Sequence, residues 1–187
     1  NGEKLWENVY NSNTIKKCDY PKGISIDGHC NTYVIAKSNG DKYWWDYLTI
    51  KYDSLGKEIW SRRFLGSATE DVQAQDLPEK LCIDKNENVF VTGEIGNLNT
   101  GYDFGTIKYQ DNGELVWVNT SNSDLINTEW AYDMILDEEE NIYITGIGNV
   151  KDESKIITVK YNQRGSEIWV KDFGIKDSKY GYNKIAI

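Results

Sequence analysis

The sequence is poor in the residues that usually build metal centres. Its 187 residues include one histidine, His29, and three cysteines, Cys18, Cys30 and Cys82. A single histidine excludes a site with several histidine ligands, and no two cysteines have Cys-x-x-Cys spacing. Three cysteines allow at most one disulfide within the chain, so a Cys18–Cys30 bridge stays open. Cys82 lies in an apolar segment and is expected to be a small buried residue. The cysteine content therefore leaves the redox compartment open.

Basic charge and long apolar runs are also lacking. The chain has 21 Lys and Arg against 30 Asp and Glu, which gives a net charge of −9. This acidity argues against nucleic acid or an anionic membrane surface as a partner. No run of about 18 apolar residues is present, so we expect no membrane insertion. No signal peptide is visible, and because the sequence starts with Asn1 rather than Met, we expect a processed or trimmed piece.

Short motifs for catalysis are missing as well. The sequence contains no Gly-x-Ser-x-Gly, no phosphate-binding loop and no dinucleotide-binding fingerprint. Its many carboxylates leave a glycosidase-like pair open, but the sequence singles out none of them. We therefore predict no catalytic residues.

The sequence does contain a repeat, marked by three landmarks that keep their order. The first is an aspartate with an asparagine four residues later and then a β-branched and aromatic run, at 27–36, 84–93 and 137–146. The second is Thr-(Ile/Val)-Lys-Tyr, at 49–52, 106–109 and 158–161. The third is Gly-x-x-x-Trp, whose glycines are separated by 54, 57 and 52 residues. These intervals suit a propeller blade better than helical repeats of about 33 to 47 residues.

Each repeat has the pattern of four strands joined by tight turns. Val, Ile, Thr, Tyr and Trp fill the runs because they fit a pleated, packed surface, and no segment shows a helical period. Segments rich in Asp, Asn and Gly, such as Gln110–Gly113, predict hairpin turns. We therefore predict an all-β fold, a β-propeller-type array of four-stranded antiparallel blades. Three full blades are expected over 20–64, 72–118 and 129–173, with orphan strands over 1–10 and 180–187.

The repeated tryptophan has a structural interpretation. A large ring at one position in each blade can pack on the neighbouring blade, and the glycine shapes the turn. The residues to which we assign this role are Trp6, Trp60, Trp117, Trp169, Gly56, Gly113 and Gly165. The repeated lysines, Lys51, Lys108 and Lys160, are also expected to meet a shared structural need.

The predicted ends raise the question of closure. Three blades fall short of the usual 4–8, and an open array presents strand edges that favour pairing with another chain. Three explanations stay open. The chain is part of a larger propeller, two or more chains assemble a ring, or the orphan strands close the array irregularly.

At this point the pattern Asp-x-x-x-Asn-(Val/Ile)-(Tyr/Phe)-(Val/Ile)-Thr-Gly, then Thr-Ile-Lys-Tyr and Gly-x-x-x-Trp, resembles the bacterial and archaeal β-propeller repeat of the SBBP type. The resemblance covers nearly the whole chain. Thr32, Ala36 and Lys155 depart from it, which indicates drift in a structural repeat. The Gly-x-x-x-Trp element alone is similar to the tryptophan-docking motif of quinoprotein propellers.

The resemblance implies a non-catalytic scaffold or binding module of a secreted or cell-surface protein. A protein or glycan partner would bind at the loops along one rim of the blades. Two alternatives stay open: an enzyme on a propeller scaffold, either carbohydrate-active or quinone-dependent, and a self-assembling structural subunit.

Aromatic residues near the loops are the candidate ligand-binding residues: Tyr43, Trp44, Trp45 and Trp130. A packing role is the competing interpretation, because large aromatic residues are mostly buried. We predict no cofactor. Asp84, Asn86 and Asn88 space their oxygens as a calcium loop would, so calcium is the one cation left open. The equivalent turns lack the middle ligand, which favours a plain hairpin turn.

Overall fold

The computed structural model describes residues 2–11, 18–39, 45–66, 75–97, 101–120, 126–150 and 153–174. These residues form twelve strands in three four-stranded antiparallel sheets. Sheet 1 contains β1 (Asp19–Ile26), β2 (Thr32–Asn39), β3 (Trp45–Tyr52) and β4 (Glu58–Phe64). Sheet 2 contains β5 (Asp76–Ile83), β6 (Val89–Asn97), β7 (Gly101–Tyr109) and β8 (Leu115–Thr120). Sheet 3 contains β9 (Ile126–Leu136), β10 (Ile142–Val150), β11 (Glu153–Tyr161) and β12 (Glu167–Gly174).

The strand order in each sheet follows the chain, from the first strand at one edge to the fourth at the other. The predicted all-β class and the repetition of four-stranded antiparallel sheets are confirmed. Within the described ranges, no helix has the length and hydrophobicity that crossing a membrane requires.

The turn between the third and fourth strands is nearly the same in every sheet. In sheet 2 the Gly113 amide donates to the Gln110 carbonyl at 2.9 Å, and Gly113 has φ +80°. Glycine reaches this left-handed region without the steric penalty of a side chain. A register shift lies between Lys108 and Tyr109, in the strand pair that leads into the turn.

The sheets pack face to face, and two apolar clusters fill the junctions. Between sheets 1 and 2 the cluster comprises Tyr33, Ile35, Tyr47, Trp60, Leu81, Val89, Val91, Ile95, Ile107 and Tyr109. Between sheets 2 and 3 it comprises Phe90, Phe104, Ala131, Met134, Ile142, Ile144, Ile157, Val159 and Tyr161. A smaller cluster lies on the other face of sheet 1, where Tyr10 packs on it from the N-terminal segment.

The ends of the chain differ from the sequence prediction. Residues 2–11 form no strand, although a strand over 1–10 was expected. In the described ranges no neighbouring strand edge pairs with this segment, and a strand needs such a ladder to satisfy its backbone groups. The predicted orphan strand over 180–187 lies outside the described residues.

The cysteines are free thiols, so the structure does not contain the Cys18–Cys30 bridge that the sequence left open. Both of these residues are exposed. Cys82 is half-buried, its Sγ lies 3.2 Å from the Met134 carbonyl oxygen, and burial raises its pKa to about 11.

Candidate functional site

The candidate site lies along one edge of the sheets, which we call the loop rim. This rim is the edge where β2, β6 and β10 end and where β3, β7 and β11 begin. In sheet 1, Trp45 starts β3, and its ring meets the Tyr20 ring edge-on at a centroid distance of 5.2 Å. The Lys37 ammonium lies 4.9 Å from the Tyr20 ring centroid and 4.8 Å from that of Trp45. The three side chains form an aromatic platform that carries one positive charge.

Strand pairing fixes this platform. Tyr20 on β1 pairs with Lys37 on β2, and Trp45 pairs with Asn39 at the end of β2. Directly opposite residues point to the same face of a sheet, so the rings and the ammonium share one face. Tyr20 is 50% exposed and Trp45 is half-buried, which leaves aromatic surface open to a ligand.

Asn39 adds an unpaired acceptor next to the platform. Asn39 is 6% exposed, and its side-chain Oδ1 is buried with no hydrogen-bond partner. Buried side-chain oxygens are normally paired, since an unpaired one loses its hydration without compensation. The side-chain Oδ1 of Asn39 therefore lacks the donor that a buried oxygen normally has.

A network behind the platform holds the end of β2 in place. The Arg63 guanidinium donates from Nη1 to Asp46 at 2.8 Å and to the Ser38 carbonyl at 2.9 Å. Its Nη2 donates to the Ser38 hydroxyl at 2.6 Å. These charge-assisted bonds fix the backbone on both sides of the 40–44 connection.

Sheet 2 has a carboxyl group on the same rim. Glu94 on β6 occupies the position that Lys37 has on β2, is 7% exposed, and has no hydrogen bond or ion pair among the described residues. Burial, assisted by the charge of Glu79, raises its pKa to about 7, and Lys22 opposes the shift. Lys22 and Glu79 form an ion pair between β1 and β5. This pair links the rim of sheet 1 to the rim of sheet 2.

Asp76 is a second buried acid on the rim, but its oxygens are occupied. It accepts the Gly66 amide at 2.6 Å and the Gly96 amide at 3.0 Å. Burial raises its pKa despite these two bonds. Asp76 therefore fixes the backbone of the rim, whereas Glu94 accepts no hydrogen bond from the described residues.

The predicted ligand-binding residues do not form one cluster. Trp45 joins the platform described above. Trp130 lies in sheet 3, half-buried and paired with Ile147, away from that platform. Tyr43 and Trp44 lie outside the described residues.

Sequence reasoning missed Tyr20, Lys37, Asn39 and Glu94. One signal was present, because the position occupied by Lys37 and Glu94 holds Ile147 in sheet 3. A position that changes from cation to anion to aliphatic residue is not meeting a shared structural need. Comparison of the repeats for such differences would have identified it.

The aspartate of the first turn in each sheet has a structural role. Asp84 Oδ1 accepts the amides of Asn86 at 2.9 Å and Asn88 at 2.8 Å, and its Oδ2 accepts the Asn88 side chain at 2.8 Å. The Lys108 ammonium lies 3.8 Å from Oδ2. Donors thus surround the carboxylate where a calcium ion would need free oxygens, which supports the hairpin-turn interpretation.

The equivalent turn in sheet 3 repeats this arrangement. Burial alone would raise the pKa of Asp137, but hydrogen bonds from Asn141 and Tyr143 hold it at about 2. The Lys160 ammonium lies 3.5 Å from the same carboxylate. The repeated lysines therefore pair with the turn aspartates.

One group of side chains has the composition of a metal site. Ligand atoms of Asp27, His29 and Glu87 lie within 4.8 Å of one another, and the His29 ring contacts Glu87 across the junction of sheets 1 and 2. Both oxygens of Asp27 already accept hydrogen bonds, from the His29 and Asn31 amides and from the Asn31 and Tyr33 side chains. A metal ion would have to displace these donors, so we assign no metal to the group.

A groove of about 490 Å³ opens at the outer edge between sheets 1 and 2. It is lined by Arg62, Arg63, Phe64, Tyr109, Gln110, Gly113, Glu114 and Leu115. The Arg62 guanidinium donates to the Gly113 and Ser61 carbonyls, so it holds the junction together. The groove shows no buried, unpaired polar atom such as the one on the loop rim.

No protein-family model matches the chain, and no curated protein matches it.

Proposed function

We propose that the chain is a non-catalytic binding module that binds a glycan through the loop rim of sheet 1. The observation that carries this proposal is the buried, unpaired Oδ1 of Asn39 beside the Trp45 and Tyr20 rings. A sugar ring has an apolar C–H face that packs on an aromatic ring and hydroxyl groups that donate hydrogen bonds. Ligand sites commonly combine apolar lining with a few placed polar groups in this way.

Electrostatics narrows the class of ligand further. With a net charge of −9, the chain repels polyanions such as nucleic acid. The rim itself is mixed in charge, with Lys37 on sheet 1 and Glu94 on sheet 2. Hydroxyl groups both donate and accept, so they suit an edge that offers an ammonium, a carbonyl oxygen and a carboxyl group.

The scaffold in this proposal is a β-propeller-type array related to the SBBP repeat, in a secreted or cell-surface protein. Contacts between successive first strands, β1 with β5 and β5 with β9, support a radial arrangement of the sheets. The resemblance of the repeated motifs supports the family and the location. A protein partner in place of a glycan is an outcome of the test below.

The test is an oligosaccharide array, followed by calorimetric titration of the strongest binder. Trp45→Ala should weaken binding at least about tenfold, which corresponds to about 1.4 kcal/mol. Phe173→Ala removes a ring that is 72% exposed on sheet 3, and should leave the affinity unchanged. If no oligosaccharide binds, or if Trp45→Ala binds like the parent, the proposal fails.

One observation favours a second candidate, an enzyme acting on the same glycan. A carboxyl group with a pKa of about 7 is suited to proton transfer at neutral pH. Prolonged incubation with the bound oligosaccharide should then release new reducing ends, and Glu94→Gln should abolish the release while binding persists. If the parent protein binds the oligosaccharide but releases no new reducing ends, the enzyme candidate fails and the non-catalytic binding module stands.

A further inference from the structure

The two junctions between sheets use the same contacts. Trp60 Nε1 donates to the Asp111 carbonyl at 2.8 Å, and Trp117 Nε1 donates to the Gln163 carbonyl at 3.1 Å. Each ring also packs on the glycine that lies two residues after its carbonyl acceptor, Gly113 for Trp60 and Gly165 for Trp117. A Cβ atom on Gly113 would lie 2.8 Å from the Trp60 ring. We call the tryptophan and the residue two positions after it the docking pair, and the turn that receives them the docking turn.

The second member of each docking pair bonds the glycine carbonyl of the turn. Arg62 Nε donates to the Gly113 carbonyl at 2.8 Å, and Asn119 Nδ2 donates to the Gly165 carbonyl at 2.6 Å. The lysine of the third strand also reaches across. Lys51 bonds the Asp111 carboxylate, and Lys108 Nζ lies 3.5 Å from the Gln163 carbonyl oxygen.

The docking turn of sheet 1 is filled by a segment that belongs to no sheet. In this N-terminal segment, Trp6 packs on Gly56, and Asn8 Nδ2 donates to the Gly56 carbonyl at 2.9 Å. The ring centroids of Trp6 and Tyr52 lie 6.0 Å apart, with an angle of 40° between the ring planes. Trp60 and Tyr109 of sheet 2 have nearly the same geometry, at 6.1 Å and 44°. Residues 2–11 form no strand ladder with the described residues, and the contacts seen for this docking pair come from its side chains.

Sheet 3 has a docking pair, Trp169 and Lys171, and no docking turn among the described residues receives it. The corresponding face is less covered than in sheets 1 and 2. The third-strand lysine side chains are 4% exposed in sheet 1, 10% in sheet 2 and 17% in sheet 3. The first-turn aspartates are 1%, 1% and 19% exposed in the same order. Tyr143 is half-buried, whereas its counterparts Tyr33 and Phe90 are fully buried.

We propose that this face of sheet 3 docks on sheet 1 of a second copy of the chain, head to tail. Trp169 of one copy displaces Trp6 of the other from the Gly56 turn, and Lys171 donates to the carbonyl that Asn8 releases. The new junction continues the two that already join the sheets. Two copies supply six sheets, which lies within the 4–8 blades of closed propellers. A head-to-tail interface of this kind closes into a ring when its rotation fits.

The N-terminal segment is thus a removable cap on the assembly surface. Its docking pair and that of sheet 3 compete for one turn, so loosening the cap strengthens assembly. The proposal does not depend on the glycan site, because the docking turns lie at the opposite ends of the strands from the loop rim.

The test is the mass of the native particle over a range of protein concentrations, by light scattering and sedimentation. The full chain should associate as concentration rises. Trp6→Ala with Asn8→Ala should lower the dissociation constant at least about tenfold, because the cap no longer competes. Trp169→Ala should stay monomeric with or without the cap substitutions. Ile168→Ala changes a side chain that is 50% exposed on the opposite face of the same strand, so this variant should associate like the parent.

A mixing experiment tests the head-to-tail geometry. Two variants are mixed, and both carry the two cap substitutions. The first also carries Trp169→Ala and so lacks the docking pair of sheet 3, and the second also carries Gly56→Val and so lacks the docking turn of sheet 1. Each alone should remain monomeric, and the mixture should form two-chain particles and nothing larger, because only one junction is intact. A folded cap variant that stays monomeric at its solubility limit overturns the proposal, as does association of the Trp169→Ala chain. Circular dichroism and thermal melting identify any variant that fails to fold.

Discussion

At the scale of the residue, the environment of Glu94 is unusual. Its carboxyl group is 7% exposed, has no hydrogen bond or ion pair among the described residues, and has its pKa raised to about 7 by burial. A charged group without a partner in such a place destabilises the fold, so a role in binding is the reason we give for its presence. The repeat shows that the fold does not need it, because Ile147 fills the equivalent position in sheet 3.

Glu94→Gln should therefore stabilise the protein at high pH. The ordinary pKa is 4.5 and the folded value is about 7, so ionisation is unfavourable only in the folded state. The penalty is absent below about pH 4.5, grows as pH rises towards 7, and is complete above it, at about 3 kcal/mol. Urea unfolding of parent and variant at pH 4 and pH 8 measures the difference. If the substitution changes the free energy of unfolding equally at pH 4 and pH 8, ionisation of Glu94 does not destabilise the folded protein and the prediction is wrong.

At the scale of the element, the hairpin turns combine local and distant roles. The turn aspartates close their own hairpins through backbone amides, a contact that sequence spacing within four residues already specifies. The Gly113 turn, in contrast, also receives Trp60 and Arg62 from the preceding sheet. One turn therefore ends a strand pair and joins two sheets.

Trp60→Ala should destabilise the protein by about 3–5 kcal/mol, because its ring is 6% exposed and fills the junction of sheets 1 and 2. Trp169→Ala is the matched control, the same residue at the same strand position with no docking turn among the described residues. In the monomer it should lose less than half as much stability. Chemical denaturation at a concentration below assembly measures both, and equal losses would contradict the role we assign to docking.

At the scale of the whole molecule, the three sheets pack one after another and are unequally covered. Sheet 2 is packed on both faces, and sheet 3 is packed on one face among the described residues. In stacked repeats, the free energy of unfolding is close to the sum of the stability of each repeat and the energy of each interface between neighbours. A repeat at an end has one interface fewer, so it opens more easily.

Hydrogen exchange should reveal this order. Amides of β6 and β7 should be the most protected, and those of β11 and β12 should exchange faster by local opening of sheet 3. Native-state exchange followed by mass spectrometry or NMR measures the rates. Assembly provides the internal control, since the cap variant at high concentration should recover protection in sheet 3. Uniform protection in the monomer would mean that the stack opens as one unit.

Sequence periodicity and spacing by themselves determined the strand content, the turns and the repeat. Those features depend on neighbours within a few residues, such as Asp84 with Asn88 or Gly113 with its turn, so local physics specifies them. The expected strand at the N-terminal end was wrong, and the Cys18–Cys30 bridge that the sequence left open is absent. Residues 2–11 pair with no strand, and Cys18 and Cys30 remain free thiols. Both depend on which distant segments meet.

The tertiary structure alone decided where the candidate site lies. Trp45 was identified from the sequence, but Tyr20 and Lys37 join it only because β1 and β3 flank β2 in sheet 1. Asn39 became a candidate only when packing buried its Oδ1 without supplying a donor. Glu94 became one only when packing buried most of its side chain without an ion pair among the described residues. Burial and pairing are properties of all the surrounding strands together, and no short stretch of sequence encodes them.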